Sequence, residues 1–206
     1  EQGYLALNQA GFDKSKLVGE KIGVIVGICG SDLARFVDEP SVYAATGNAH
    51  SIVANRFSYV FGLTGPSLAI DTACSSSLVA IDVASLYIKA GHCKTAVVIG
   101  VNALLAQFMT DTFTVMKMMA SDGRCKTFDE KANGYVRGEG CGGVLLSSTK
   151  DEDGLGKLRG YEINQDGRSN GLTAPNGPSQ VRLIKESMRR GGLEADEISF
   201  LEAHGT

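Results

Sequence analysis

Cys74 sits in the run Asp71-Thr72-Ala73-Cys74-Ser75-Ser76-Ser77-Leu78, and its flanks decide what it can do. The residues Ser67-Leu68-Ala69-Ile70 before it read as a short buried strand. The stretch Leu78 to Ala90 after it reads as a helix that is apolar almost all round, through Leu78, Val79, Ile81, Val83, Leu86 and Ile88, so it belongs inside a core. Lys89 stands in its last turn and Gly91 can supply a left-handed C-cap. A cysteine at a tight strand-to-helix junction is lifted out of the turn, as in nucleophile elbows. The unpaired N–H groups and positive dipole end of the helix favour thiolate over thiol. The competing reading is a buried cysteine packing as a small hydrophobe. Three consecutive serines and the strand–turn–helix context favour a nucleophile.

The elements that must hold this junction can be read in order. Gly3 to Gln9 predicts a short amphipathic helix closed by Gly11, and Lys21 to Ile28 a buried strand. Ser51 to Phe61 predicts a helix with Val53, Phe57 and Val60 on one face and Gly62 as its stop; His50 at its start reads as a cap or a packed residue rather than a catalyst. Thr95 to Val101 is the next buried strand. With Ser67–Ile70 and the helix between, it predicts a βαβ unit and a parallel strand pair. Phe108 to Ala120 carries Met109, Met116, Met118 and Met119, which serve equally as core filler or as a soft wall for a flexible apolar ligand; Met116 and Met119 are the candidate pocket residues. The glycine-rich Asn133 to Gly140 lacks the Gly-Lys-Ser/Thr ending of a phosphate loop. It reads as a close-packed loop in which Arg137 and Glu139 pair. Cys141 to Ser147 predicts another strand.

Asp151-Glu152-Asp153-Gly154 is a charged turn and the natural boundary, giving residues 1–150 and 151–206 as two parts. Beyond it, Leu158 to Ile163 alternates like a strand. The polar loop Asn164 to Gly177 has the length of a functional loop. Pro178 opens a helix through Val181, Ile184 and Met188 that ends at Gly191-Gly192. Ile198 to Ala203 predicts a last strand with His204 at its C-terminal end, where parallel α/β layers bind ligands.

Composition narrows the classes. A net charge of −3 over 206 residues carries no basic footprint for nucleic acid, and no apolar run has the length of a membrane span. Five cysteines without paired spacing argue against a disulfide framework and for the cytoplasm or another reducing intracellular compartment. Neither Cys-x-x-Cys nor His-x-x-x-His spacing marks a zinc site. A start without Met and a stop just after a strand-like run read as cuts through a larger protein.

Taken together, several motifs resemble those of β-ketoacyl synthases of the type I polyketide synthase kind. They are Asp71–Leu78, Asp122–Asp129 (Asp-Gly-Arg-Cys-Lys-Thr-Phe-Asp), Gly134–Gly140 (Gly-Tyr-Val-Arg-Gly-Glu-Gly), Asn164–Gly171, Leu172–Gln180 and Glu202–Thr206 (Glu-Ala-His-Gly-Thr). The resemblance runs over nearly the whole chain. It implies a thiolase-like α/β fold of two βαβαβαββ halves in α/β/α/β/α layers, present here as an incomplete fragment. Residues 1–150 would be most of the first half, without a first strand expected at the centre of its sheet, and residues 151–206 the start of the second. The resemblance also implies roles: Cys74 as acyl acceptor with its backbone N–H as an oxyanion donor, and His204 in decarboxylation and condensation. A second histidine, a lysine and a further oxyanion loop would fall beyond Thr206, so the fragment alone is expected to be inactive. The implied reaction is decarboxylative Claisen condensation with a malonyl-type extender. It needs no metal and no cofactor bound by this segment, because phosphopantetheine on an acyl carrier protein carries the substrates. A homodimer and other synthase domains of the same chain are the implied partners. A fatty-acid synthase condensing domain and a non-catalytic ketosynthase-like partner subunit are the alternatives. An unrelated cysteine hydrolase would need a Gly-x-Cys-x-Gly turn where this chain has Thr-Ala-Cys-Ser-Ser.

Overall fold

The computed structural model describes residues 1–36, 41–149 and 154–206. It divides into two compact units, Glu1–Thr149 with His204–Thr206, and Lys150–Ala203. Asp151 to Asp153 of the charged turn lie outside the described residues.

The first unit is built on strands β1 (Ile22–Ile28), β2 (Ser67–Ile70), β3 (Thr95–Asn102) and β4 (Gly140–Ser147), in the order β2-β1-β3-β4. β1 is parallel to both β2 and β3, and β4 runs antiparallel to β3. The β-branched run Ile-Gly-Val-Ile-Val-Gly-Ile of β1 suits a strand covered on both faces. Side chains alternate across the sheet. Ile22, Val24 and Val26 of β1 join Val97 and Ile99 of β3 on one face, under helices α1 (Gln2–Gln9) and α3 (His50–Phe61) through Leu7, Ala54 and Phe57. Ile25, Ala96 and Val98 face the other way, under helix α4 (Ser76–Lys89) through Ala80 and Ala84. The unit is thus an α/β/α sandwich. Short helices α2 (Ala44–Asn48) and α5 (Phe108–Val115) complete it.

Several expectations are corrected here. β2 and β3 do not pair directly; β1 lies between them, because sequence adjacency across a helix fixes strand direction but not who inserts. β1 and β3 bond along the whole of β1. β2 is a half-buried edge strand rather than a buried one. On α3, Val60 is exposed, and Val53, Ala54, Phe57 and Phe61 form the packed face, one step round the helix. On α4 the small residues Ser76, Ala80, Ala84 and Ser85 are buried, whereas Leu78 and Leu86 are exposed at 71% and 53%. The apolar girdle is therefore covered on one side only.

The second unit is organised by helix α6 (Gly177–Gly191). Asn176 caps it, accepting from Ser179 N–H at 3.2 Å, and Gly192 closes it at φ 61°. Leu158–Ile163 and Ile198–Ala203 are not strands. A strand needs a neighbour to take its ladder bonds. Leu158–Ile163 instead runs along α6, with Arg159 donating to Gly191 C=O and Glu162 pairing with Arg190 at 2.7 Å. The loop 164–177 folds onto the start of α6, where Asn176 N–H donates to Asp166 at 2.9 Å. An open cavity of about 490 Å³ there is lined by Arg168, Ser169 and Asn176 among others. Among the described residues no helix is long and apolar enough to cross a membrane.

Candidate active site

The turn between β2 and α4 is built almost entirely from its own side chains. Asp71 accepts a hydrogen bond from Ala73 N–H at 3.0 Å, and Ala73 takes φ 56°, a left-handed conformation rare for an L residue with a side chain. Ser76 is 4% exposed, and its hydroxyl donates to Ala73 C=O at 2.6 Å while accepting from Thr72 N–H at 2.9 Å. A buried hydroxyl so placed is satisfied on both counts. Ser75 Oγ donates to Thr72 C=O at 2.8 Å. Two of the three serines therefore tie the turn, and the third, Ser77, faces the sheet, where it lies against Gly100. Cys74 is left with no such work. It is free and exposed, two residues before the first residue of α4.

The ends of the strands gather further groups round it. Gly27 of β1 pairs with Ile70 of β2, which brings Cys29 and Gly30, just past β1, beside Asp71. The Ala73 N–H, and after it the Cys29 thiol, the Gly30 N–H and His50, hold the Asp71 carboxyl below its usual range. Burial pushes the Cys29 thiol up, and the Asp71 carboxylate and Cys74 add to that rise. Burial likewise raises the Tyr135 hydroxyl, with Arg137 opposing and Cys74 adding. The Gly134–Gly140 segment thus supplies Tyr135 to the surroundings of Cys74, with Arg137 beside Tyr135. None of Cys29, Asp71, His50 and Tyr135 is a predicted site residue. For Cys29 and Asp71 the signal is the register of β1 against β2, which sequence alone does not give.

Arg137 and Glu139 do not pair as expected. Arg137 donates to Thr110 Oγ1 at 3.0 Å and lies 5.5 Å from the centre of the Phe113 ring, while Glu139 accepts from Leu104 N–H at 3.2 Å. Both side chains are drawn to α5 and the chain before it, across the sheet end rather than along their own loop.

His204 is exposed and follows irregular chain, not a strand. Its neighbour Gly205, at φ 70°, accepts a hydrogen bond from Thr127 Oγ1, so the Glu202–Thr206 and Asp122–Asp129 motifs meet. No hydrogen bond joins Cys74 to His204 among the described residues. Met116 is exposed at 51% and Met119 is half-buried. The backbone on either side of Met119 is bonded to Tyr135, through Met118 C=O and Ala120 N–H. Among the described residues no group of three or more His, Cys, Asp or Glu is placed to hold a metal ion.

Residues 1–152 match the family profile described as beta-ketoacyl synthase, N-terminal domain, and residues 155–206 that of the beta-ketoacyl synthase C-terminal domain. The chain belongs to the β-ketoacyl synthase family. It is 41% identical to polyketide synthase GfsE of Streptomyces halstedii and 39% identical to erythronolide synthase EryA2 of Saccharopolyspora erythraea, in each case over 100% of this chain and 6% of the relative. Among solved structures it resembles the ketosynthase from module 6 of the bacillaene synthase from Bacillus subtilis 168, with a TM-score of 0.90 and 37% identity over 99% of this chain and 36% of that one. The fold is thiolase-like, and the chain spans about a third of that ketosynthase. The relatives are polyketide synthases, which weighs against the fatty-acid alternative.

Proposed function

We propose that this chain carries the acyl acceptor of a polyketide ketosynthase, and that Cys74 is that acceptor. The observation that supports this most is the exposed Cys74 beside the left-handed Ala73, at the start of a helix bedded on the sheet. An acyl group arrives as a thioester on the phosphopantetheine of an acyl carrier protein. The Cys74 thiolate attacks the carbonyl carbon, the carrier thiol leaves, and an acyl-enzyme forms. The Cys74 N–H, close to the start of α4, is one donor to the oxyanion. A malonyl-type extender then loses carbon dioxide. His204 donates a hydrogen bond to its thioester carbonyl as the enolate forms. The enolate carbon attacks the acyl carbonyl, Cys74 is released as thiolate, and a β-ketoacyl thioester remains on the carrier.

Residues 1–150 serve as the nucleophile-bearing part in this reading and residues 151–206 as the start of the part that brings His204. Met116 and Met119 line the acyl path. The presence and exposure of Cys74 favour a working enzyme over a silent partner subunit. Five free thiols suit a reducing intracellular compartment such as the cytoplasm. The whole protein acts with further synthase domains and as a homodimer. The test is radiolabelled acyl loading of the full-length protein. Cys74→Ala abolishes it, whereas Cys29→Ala, Cys93→Ala, Cys125→Ala and Cys141→Ala each retain it. Full loading of Cys74→Ala would overturn the assignment.

A further inference from the structure

The first turn of α4 rests on two glycines that share one position across the sheet. Gly27 of β1 is the register partner of Gly100 of β3. Both lie on the face that carries Ile25, Ala96 and Val98, the face covered by α4. A Cβ at Gly27 would stand 2.6 Å from the carbonyl carbon of Ser76 and 2.6 Å from Ser77 N. A Cβ at Gly100 would stand 2.8 Å from Ser77 Cβ, with Ser77 Cα at 3.9 Å. Gly142 of β4, next in the same row, would meet nothing within 4 Å. Close approach in this row is thus confined to the footprint of Ser76 and Ser77. Further along, α4 meets the sheet through Ala80 and Ala84, both 0% exposed. The helix therefore lies lowest over the sheet at the end that carries Cys74.

We infer that Gly27 and Gly100 are positioning residues for Cys74: they set the depth of the first turn of α4, and with it the place of the thiol. The inference rests on the reading of Cys74 as acyl acceptor. A methyl group at either position lifts Ser76–Ser77, and the turn bonds from Ser76 to Thr72 and Ala73 carry that shift to Cys74. Displacement on the order of 1 Å costs about a hundredfold in rate when geometry limits the step.

The two positions differ in what they strike, and this supplies the test. At Gly100 the clash is with a side-chain carbon, so removing that carbon relieves it; at Gly27 it is with backbone, and nothing relieves it. The full-length protein is prepared as Gly27→Ala, Gly100→Ala, Gly142→Ala, Ser77→Gly and the Gly27→Ala/Ser77→Gly and Gly100→Ala/Ser77→Gly pairs. Single-turnover acylation at saturating donor is measured alongside alkylation of Cys74 by iodoacetamide, read on the Cys74 peptide. Gly100→Ala lowers acylation about a hundredfold, and adding Ser77→Gly returns it to the rate of Ser77→Gly alone. Gly27→Ala is lowered at least as far and is not rescued, and Gly142→Ala is unchanged. A Gly100→Ala protein that fails to fold is decided by the pair, which recovers both fold and rate. Wild-type rates in both Gly27→Ala and Gly100→Ala, or no recovery in the Gly100→Ala/Ser77→Gly pair, overturn the inference. If the wild type carries no acyl group on Cys74, the function reading fails, and the alkylation rates, which need no acyl chemistry, still decide whether the glycines set the thiol's place.

Discussion

Asp71 accepts the Ala73 N–H at 3.0 Å, and Ala73 is the one residue of the turn held at positive φ, 56°. A non-glycine residue in that region costs roughly 1–2 kcal/mol. Glycine would relieve that strain but loosen the turn. The Asp71 carboxylate compensates by fixing the next peptide, and its neighbours past β1 tie the turn to the sheet. The rigidity of the thiol's support thus comes from a charged side chain three residues upstream of it.

Replacing Asp71 with Ala removes that brace, and acyl loading should fall by roughly ten- to a hundredfold through lost placement. Asp71→Asn keeps an oxygen acceptor and should fall less. The pH dependence has a definite sign. The folded pKa of Asp71 lies below its ordinary 3.8, so the stabilisation is fully present above that value and is lost only as pH falls through the lowered one. Loading measured across about pH 6–8, far above the carboxylate range, should therefore show no inflection from Asp71. An inflection in wild type that disappears in Asp71→Asn would contradict this.

Ser76→Ala should destabilise the first unit. The change leaves Thr72 N–H without its 2.9 Å acceptor, whereas Ala73 C=O keeps the Ser76 N–H at 3.1 Å. One unsatisfied donor costs about 1–3 kcal/mol, and each kcal/mol lowers the unfolding midpoint of a chain this size by about 2–4 °C. Thermal unfolding of the two proteins side by side measures it. An unchanged midpoint would mean that water replaces the hydroxyl.

His204→Ala should separate the two halves of the reaction. Loading of Cys74 should stay near the wild-type rate, while product formation from extender should fall by about 10² or more, the scale of a lost transition-state donor. Both are measured on one preparation. Lost loading with intact condensation of preloaded enzyme would exchange the roles.

Much of this arrangement is legible in the sequence because it is local. The strand–turn–helix round Cys74, the buried run of β1, and the helix stops at Gly62, Gly91 and Gly192 all follow from periodicity and glycine φ. What was not legible depends on partners distant in sequence. The insertion of β1 between β2 and β3 is set by the whole sheet. Leu158–Ile163 alternates like a strand yet has no ladder, since α6 is its neighbour. Arg137 and Glu139 look like a local pair but are drawn to Thr110 and Leu104 by the fold of the chain before them. The bonds of Asp71 and Ser76 were hidden for another reason: the motif shows which residues are present, but only the left-handed Ala73 shows what they hold.

The edge strand β2 gives the last prediction. Among the described residues Ser67–Ile70 is bonded to β1 on one side alone, and its other side presents backbone groups that invite a further strand. Its residues are half-buried, and Leu68 and Ile70 pack on the core under α4, so the edge is neither charged nor bulged away from association. A two-fold axis beside it would set β2 against its own copy in antiparallel register, a closed and self-complementary contact. The full-length protein should therefore sediment as a dimer at micromolar concentration. Amide protons of Ser67–Ile70 that face away from β1 should be protected from exchange in the dimer and lose that protection on dilution. A monomer at micromolar concentration, or edge amides that exchange at the same rate at every concentration, would rule out pairing through β2.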